Sequence, residues 1–187
     1  MDIINRVKNM LVSPKTEWSV IDEENAPHMK VCTTYVVLLA LIPAVAAFIG
    51  YGLFGRGAFV GLGFRYAVIQ YITMVGGIYL AAFVINILAE NFGSKKDFDK
   101  AFSLVAYAYT PTLVSGIFYI FLPLGFLTFL ASIYSLYLLY IGLTPMMKTS
   151  DEKRTTYFIV SLLVMAGAFV LLSSILTAIL VGSFLLR

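Results

Sequence analysis

Polar positions along this chain come in clusters, and between Ala101 and Met147 the charged ones vanish: forty-seven consecutive residues contain no Asp, Glu, Lys, Arg or His. At about 1.5 Å per helical residue such a run would be about 70 Å long, more than twice a hydrocarbon core of about 30 Å, so one helix cannot hold it. The stretch Leu122-Pro123-Leu124-Gly125 supplies the reversal, because Pro cannot continue a helix and Gly tolerates a turn. Extended to the other apolar runs, the pattern predicts an all-α polytopic membrane bundle. Its five transmembrane helices fall at about 31–54, 66–89, 101–121, 126–143 and 157–181.

Residues 1–30 precede the first span and read as short interfacial helices. Over residues 2–12, Ile3, Ile4, Val7, Met10 and Leu11 share one helical face, with Asp2, Arg6, Lys8 and Asn9 mostly on the other. That distribution suits a helix lying in the headgroup plane. Ser13-Pro14 restarts the helix, Ser as N-cap and Pro at the first position, where its missing N–H is harmless. Pro14 and Trp18 are the expected interfacial anchor, since Trp beside a span favours the membrane surface. Asp22, Glu23 and Glu24 read as a solvated turn. With charges of both signs and no apolar core, this region is not a cleavable signal peptide, and the first span is expected to serve as an uncleaved anchor.

Composition narrows the function classes. The chain is 60% apolar and 12% charged, with a mean hydropathy of +0.92, far from a soluble domain, where about a quarter of residues are charged. Its 13 basic residues are scattered and form no dense stripe, so nucleic acid is not an expected partner. One Cys and one His exclude a Cys/His zinc site or a disulfide within a single chain. No metal or cofactor is expected. His28 reads as a solvated or headgroup-facing ring and Cys32 as a small apolar residue at a helix start. They share a face, but a nucleophile and base without a third group carry no catalytic argument, and the chain is not expected to be an enzyme. Gly50 to Gly55 spells G-x-G-x-x-G. It ends a membrane segment, not a strand, and so reads as a surface turn.

Within the spans, Pro43 and Pro111 should each disturb a helix at mid-depth. Pro111 cannot donate to the carbonyl of Tyr107, which must therefore find Thr110, a neighbouring helix or a water. Small-residue ladders at Thr73, Gly77 and Ala81 and at Ser174, Ala178 and Gly182 predict close helix contacts. Asn86 and Glu90 form an i,i+4 pair near the end of the second span. Glu90 is the one acid touching a predicted span, with an ordinary solvated carboxylate as the blander reading. Counting Lys and Arg by connection puts ten on the N-terminal side and three on the other, and all ten acids on the N-terminal side. The expected topology is therefore a cytoplasmic N-terminus and an outer C-terminus.

These residues carry a family resemblance. Leu11-Val-Ser-Pro14 to Trp18-Ser-Val-Ile21, Phe92-Gly-Ser-Lys-Lys-Asp-Phe98, Ala106-Tyr-Ala-Tyr-Thr-Pro111 with Gly116 after it, and Tyr140-Ile-Gly-Leu-Thr144 occur in this order. The chain resembles the Yip family, named for Ypt/Rab-GTPase-interacting proteins, and in particular its compact prokaryotic branch. The resemblance implies five spans with a cytoplasmic N-terminus. Eukaryotic relatives act in vesicle traffic between endoplasmic reticulum and Golgi and contact prenylated Rab-type GTPases. This chain departs from them in lacking a long polar N-terminal region and an Asp-Leu-Tyr-Gly-Pro motif.

The resulting expectation is a non-enzymatic protein of the inner membrane that organises the bilayer or scaffolds partners through its cytoplasmic face. Its partners would be the lipid bilayer, a membrane or cytoplasmic protein, or a second copy of the chain. Tyr107, Tyr109, Pro111, Gly116, Asn86 and Glu90 are the candidate functional or structural residues. The alternative is a small transporter or channel using the helices kinked at Pro43 and Pro111. Against it stands the absence of any charge in the sequence facing Pro111.

Overall fold

The structure, a computed structural model, describes residues 2–52 and 60–185, with side chains described through residue 168 except those of Leu62 and Leu122. Every regular element among the described residues is helical. Two short helices open the chain, α1 (Ile3–Val12) and α2 (Pro14–Glu24). Asp2 caps α1 by accepting from the Ile4 N–H, and Pro14 starts α2 as its spacing predicts, although the Ser13 side chain makes no capping bond. Asn25 ends α2 in the left-handed region at φ 41°.

Helix α3 (His28–Gly52) follows, with a π-helical turn at Cys32–Val36 and Pro43 inside it. Helix α4 (Val60–Leu88) continues as a 3-10 turn through Phe92. The third hydrophobic segment is broken: α5 (Phe98–Ala108) and α6 (Thr110–Ser115) meet at Tyr109, and a 3-10 turn carries the chain on to Ile120 with a bend of 40° across the break. Proline at the first or second position of α6 explains the interruption, since its nitrogen cannot continue the ladder of α5. The reversal expected at Leu122–Gly125 is a 3-10 turn leading into α7 (Phe126–Met147). Helix α8 (Asp151–Leu185) closes the chain.

Among the described residues three helices are long and apolar enough to cross a membrane, or four when the bent α5–α6 pair counts as one span. The chain is thus an all-helical integral membrane protein. The ladder at Ser174, Ala178 and Gly182 lies outside the described side chains, and Phe54 and Gly55 lie outside the described residues.

The buried core sits at one end of the bundle. It gathers Met10, Trp18 and Ile21 of the N-terminal helices, Val31 to Ala40 of α3, Ile78 to Ala89 of α4 and its 3-10 extension, α5, Leu138 to Met147 of α7, and Tyr157 of α8. At the other end Phe64, Phe126 and Phe129 are 60–69% exposed, as expected for side chains facing lipid. On α4 the buried line is Ile78, Ala81, Ala82, Ile85 and Ala89, a helical stripe. The expected contact ladder is corrected here: Ala81 is buried, but Thr73 is exposed and a Cβ on Gly77 would meet nothing within 4 Å. The seam runs instead through Ile78, Ala82, Ile85 and Ala89, with Ala81 the one member of the ladder in it.

Candidate functional site

The N-terminal helices do not form a separate surface layer. They fold as a hairpin into the groove between α5–α6 and α7. The Tyr134 hydroxyl donates to the Leu11 carbonyl at 3.0 Å, and Tyr134 lies thirteen residues before the end of α7, or about 20 Å along its axis. From that depth α2 climbs back, so that Trp18 meets α7 at Gly142. A Cβ on Gly142 would stand 2.8 Å from Trp18 Cε2 and 2.5 Å from Leu104 Cδ1. Only glycine leaves room for the indole there. Trp18 is 1% exposed, which corrects its expected place as an interfacial anchor, whereas Pro14 stays half-buried at the hairpin tip.

The hairpin brings charge inside. Arg6, expected on a polar outer face of α1, is buried, and its Nη1 donates to Glu17 Oε1 at 2.5 Å with the two side chains 4% and 5% exposed. Nη2 pairs with Glu24, and Asn9 Nδ2 donates to Glu17 Oε2 at 2.9 Å. The guanidinium lies over the Tyr107 ring, 5.3 Å from its centroid. A buried ion pair is tolerated only when its remaining donors and acceptors are occupied, and this one is held from both helices of the hairpin. The expectation that no charge faces the α5–α6 break is therefore corrected: the charge arrives from α1.

Beneath Arg6 the break is satisfied locally. The Thr110 hydroxyl donates to the Tyr107 carbonyl at 2.6 Å, the partner anticipated for the group that Pro111 leaves unpaired. Since that bond uses the one hydroxyl proton of Thr110, the 2.6 Å contact with Tyr35 has the tyrosine as donor. Tyr35 also packs on Tyr107 with ring centroids 4.7 Å apart. Pro111 is buried, and Tyr109, at the junction, is half-buried. Gly116 receives Pro43: a Cβ there would lie 2.5 Å from the proline Cβ. Pro43 does not interrupt its helix, but both prolines belong to one packed unit, Pro43 against Gly116 and Pro111 five residues earlier. A cleft of about 300 Å³ opens beside this unit, lined among others by Arg6, Glu24, Lys30, Tyr35 and Tyr107.

Ion pairs also fasten the hairpin to the connections at its own end of the bundle. Asp22 takes Lys100 Nζ at 2.8 Å and Lys148 Nζ at 2.5 Å. Burial works to raise its carboxyl pKa, but the two ammonium groups outweigh that and hold it below the usual carboxylate value. Two of the three acids expected in a solvated turn, Asp22 and Glu24, are thus engaged in ion pairs, Asp22 half-buried and Glu24 still exposed. His28, expected as a solvated or headgroup-facing ring, is one-third exposed and pairs through Nδ1 with Asp99 Oδ1 at 2.5 Å. Ser94 and Thr149, from the two connections, meet at 2.7 Å.

Asn86 and Glu90 do not join this network. Glu90 is exposed in the 3-10 turn after α4, as the blander reading had it, and Asn86 is half-buried with an unpaired Oδ1. Sequence reasoning missed Arg6, Glu17, Glu24 and Tyr35. A signal was present: Arg6 falls three residues after Ile3 and four before Met10, and Glu17, Ile21 and Glu24 align at i, i+4, i+7, so each helix carries charge within its buried stripe.

Comparison with known proteins gives one family and one kind of relative. A family model described as the Yip1 domain matches residues 8–183. The chain is 30% identical over 166 residues to "Inner membrane protein YohC" of Escherichia coli (strain K12), covering 82% of this chain and 85% of that protein. The protein of the same name from Escherichia coli O6:H1 (strain CFT073) matches to the same extent. No solved structure matches the chain significantly.

Proposed function

The chain belongs to the Yip1 family, and from that premise we propose that it is a five-span inner-membrane protein with a cytoplasmic N-terminus. It acts without catalytic turnover, as a docking platform on the cytoplasmic face. The fifth span is α8, whose sequence is apolar from Tyr157 onward. The inner membrane is where the name of the Escherichia coli relative puts that protein.

One observation carries the reading: the hairpin is closed on itself by Arg6 with Glu17 and fastened to the bundle by Arg6 over the Tyr107 ring and by Asp22 with Lys100 and Lys148. A helix meant only to float at the membrane surface needs no such fastening, whereas a platform needs fixed geometry to recognise a partner. Photo-crosslinkers at the exposed positions Ser19, Glu23 and Lys96 in native membranes should give discrete protein adducts that the same group at Phe126 does not. Identical background from all four positions would overturn the platform. Topology reporters at Asn91, Ser150 and the C-terminus test the five spans, and an outside reading at Ser150 would remove them.

The cleft beside Arg6 and Tyr107 favours a second reading, a small-solute path ending at the α5–α6 break. Proteoliposomes of the pure protein that stay tight to ions and small solutes would dispose of it.

A further inference from the structure

On the outer side of α2 a different groove runs down α7. Its upper part, a hollow of about 450 Å³, is walled by Lys15 and Trp18 of α2, Tyr137, Ile141 and Thr144 of α7, and Arg154 from the first turns of α8. None of its lining residues is acidic. A second hollow of about 450 Å³ shares Lys15 and Tyr137 with it and extends to Val12, Pro14 and Tyr134. The groove is therefore cationic at the α7–α8 connection and becomes mainly apolar toward the middle of α7. From Thr144 to Tyr134 is ten residues, about 15 Å, or half a hydrocarbon core of about 30 Å.

Two residues that wall the upper hollow also carry donors without acceptors. Trp18 Nε1 and Arg154 Nε are both buried and unpartnered, a costly state that evolution seldom leaves in a packed protein. Arg154 is nevertheless held in place. Its Nη1 donates to Asp151 Oδ1 at 3.0 Å and Thr144 Oγ1 at 3.4 Å, and the guanidinium lies 4.6 Å from the Tyr140 ring centroid. Asp151 is 79% exposed, so water screens most of its charge and the hollow stays electropositive.

We infer that this groove binds an acidic phospholipid, its phosphate between Lys15 and Arg154 and one acyl chain along Tyr137 toward Tyr134. A phosphodiester offers only acceptors, matching a site built from an ammonium, a guanidinium, an indole N–H and a hydroxyl. The apolar lower half has the length of one leaflet's chain and selects a tailed anion over a soluble one. Both orphan donors are covered in the free protein, so the ligand reaches them as the groove opens, and binding alters the surroundings of Trp18. The inference stands apart from the platform reading and requires only that α2 and the α7–α8 connection share one membrane surface.

The test uses the full chain, delipidated in a neutral detergent, and the emission of Trp18, its one tryptophan. Phosphatidylglycerol should shift that emission saturably and bind about tenfold or more tighter than phosphatidylcholine, as expected for a charge-assisted contact. Lys15→Gln, at an exposed position, and Arg154→Gln should each weaken phosphatidylglycerol about five- to tenfold. Lys8→Gln, which removes an exposed charge of α1 instead, should leave the affinity unchanged. Equal binding of the two lipids, or equal weakening by Lys8→Gln and Lys15→Gln, would overturn the site. Glycerol phosphate as potent as the lipid would overturn the acyl-chain assignment, and oleate as potent would overturn the phosphate.

Discussion

Neutralising Arg6 should release the N-terminal hairpin. In Arg6→Met, Glu17 keeps a side chain 5% exposed, with the Asn9 amide as its remaining partner. Stranding a buried ion in this way costs about 3–5 kcal/mol. Loss of the Glu24 contact adds little, because that side chain is 37% exposed and its pairing is screened. Hydrogen exchange of α1 and α2 amides in nanodiscs reads the opening directly. A loss of about 3 kcal/mol in opening free energy accelerates exchange by about 100-fold or more. The double variant Arg6→Met/Glu17→Gln removes both charges at nearly constant shape and should bring exchange back to within about tenfold of the parent. Two results would refute the reasoning: a single variant that exchanges less than about tenfold faster, a change below about 1.4 kcal/mol, or a double variant as open as the single.

Gly116→Ala should lower the thermal midpoint in detergent by the equivalent of about 1–3 kcal/mol, since its Cβ would stand 2.9 Å from the Pro43 Cα. Gly77→Ala, in open space, should be neutral or stabilising by up to about 1 kcal/mol, and the reverse order of the two would contradict the packing described. Thr110→Val should cost about 1–3 kcal/mol by leaving the Tyr107 carbonyl unpaired, with Thr110→Ser close to the parent in the same assay. The Asp22 carboxyl is held below its ordinary value by Lys100 and Lys148. Its contribution is therefore complete above the ordinary carboxylate range, about pH 4, and lost as pH falls through the lowered folded value. Proteolysis of α2 should accordingly differ between parent and Asp22→Asn by a constant factor near neutrality, and the difference should vanish under strong acid.

Much of the architecture was legible because it depends on local features. A charge-free run too long for one helix had to reverse. Pro111 had to break the third segment, and the carbonyl it left unpaired found its partner three residues along the chain, at Thr110. Glu90 stayed solvated as helix-end position suggested. The locations of Arg6 and Trp18 were not legible in the same way. Periodicity distributes residues around one helix but does not say how wide its buried stripe is, and α1 buries Arg6 beside Met10 while leaving Ile4 72% exposed.

What the sequence alone determined about this protein is its solvent: hydropathy and charge counting choose a membrane and mark the helices long enough to cross it. Tertiary structure decided which polar residues went inside. A buried charge needs a partner, and Arg6 finds Glu17 on the other helix of the hairpin, while partly exposed pairs reach farther along the chain, Asp99 for His28 at a separation of 71 residues and Lys148 for Asp22 at 126. Glycine positions divide in the same way, Gly116 and Gly142 meeting a proline and an indole while Gly77 meets open space. Nothing in residue type distinguishes them, because the space beside a glycine is set by the helix that packs against it.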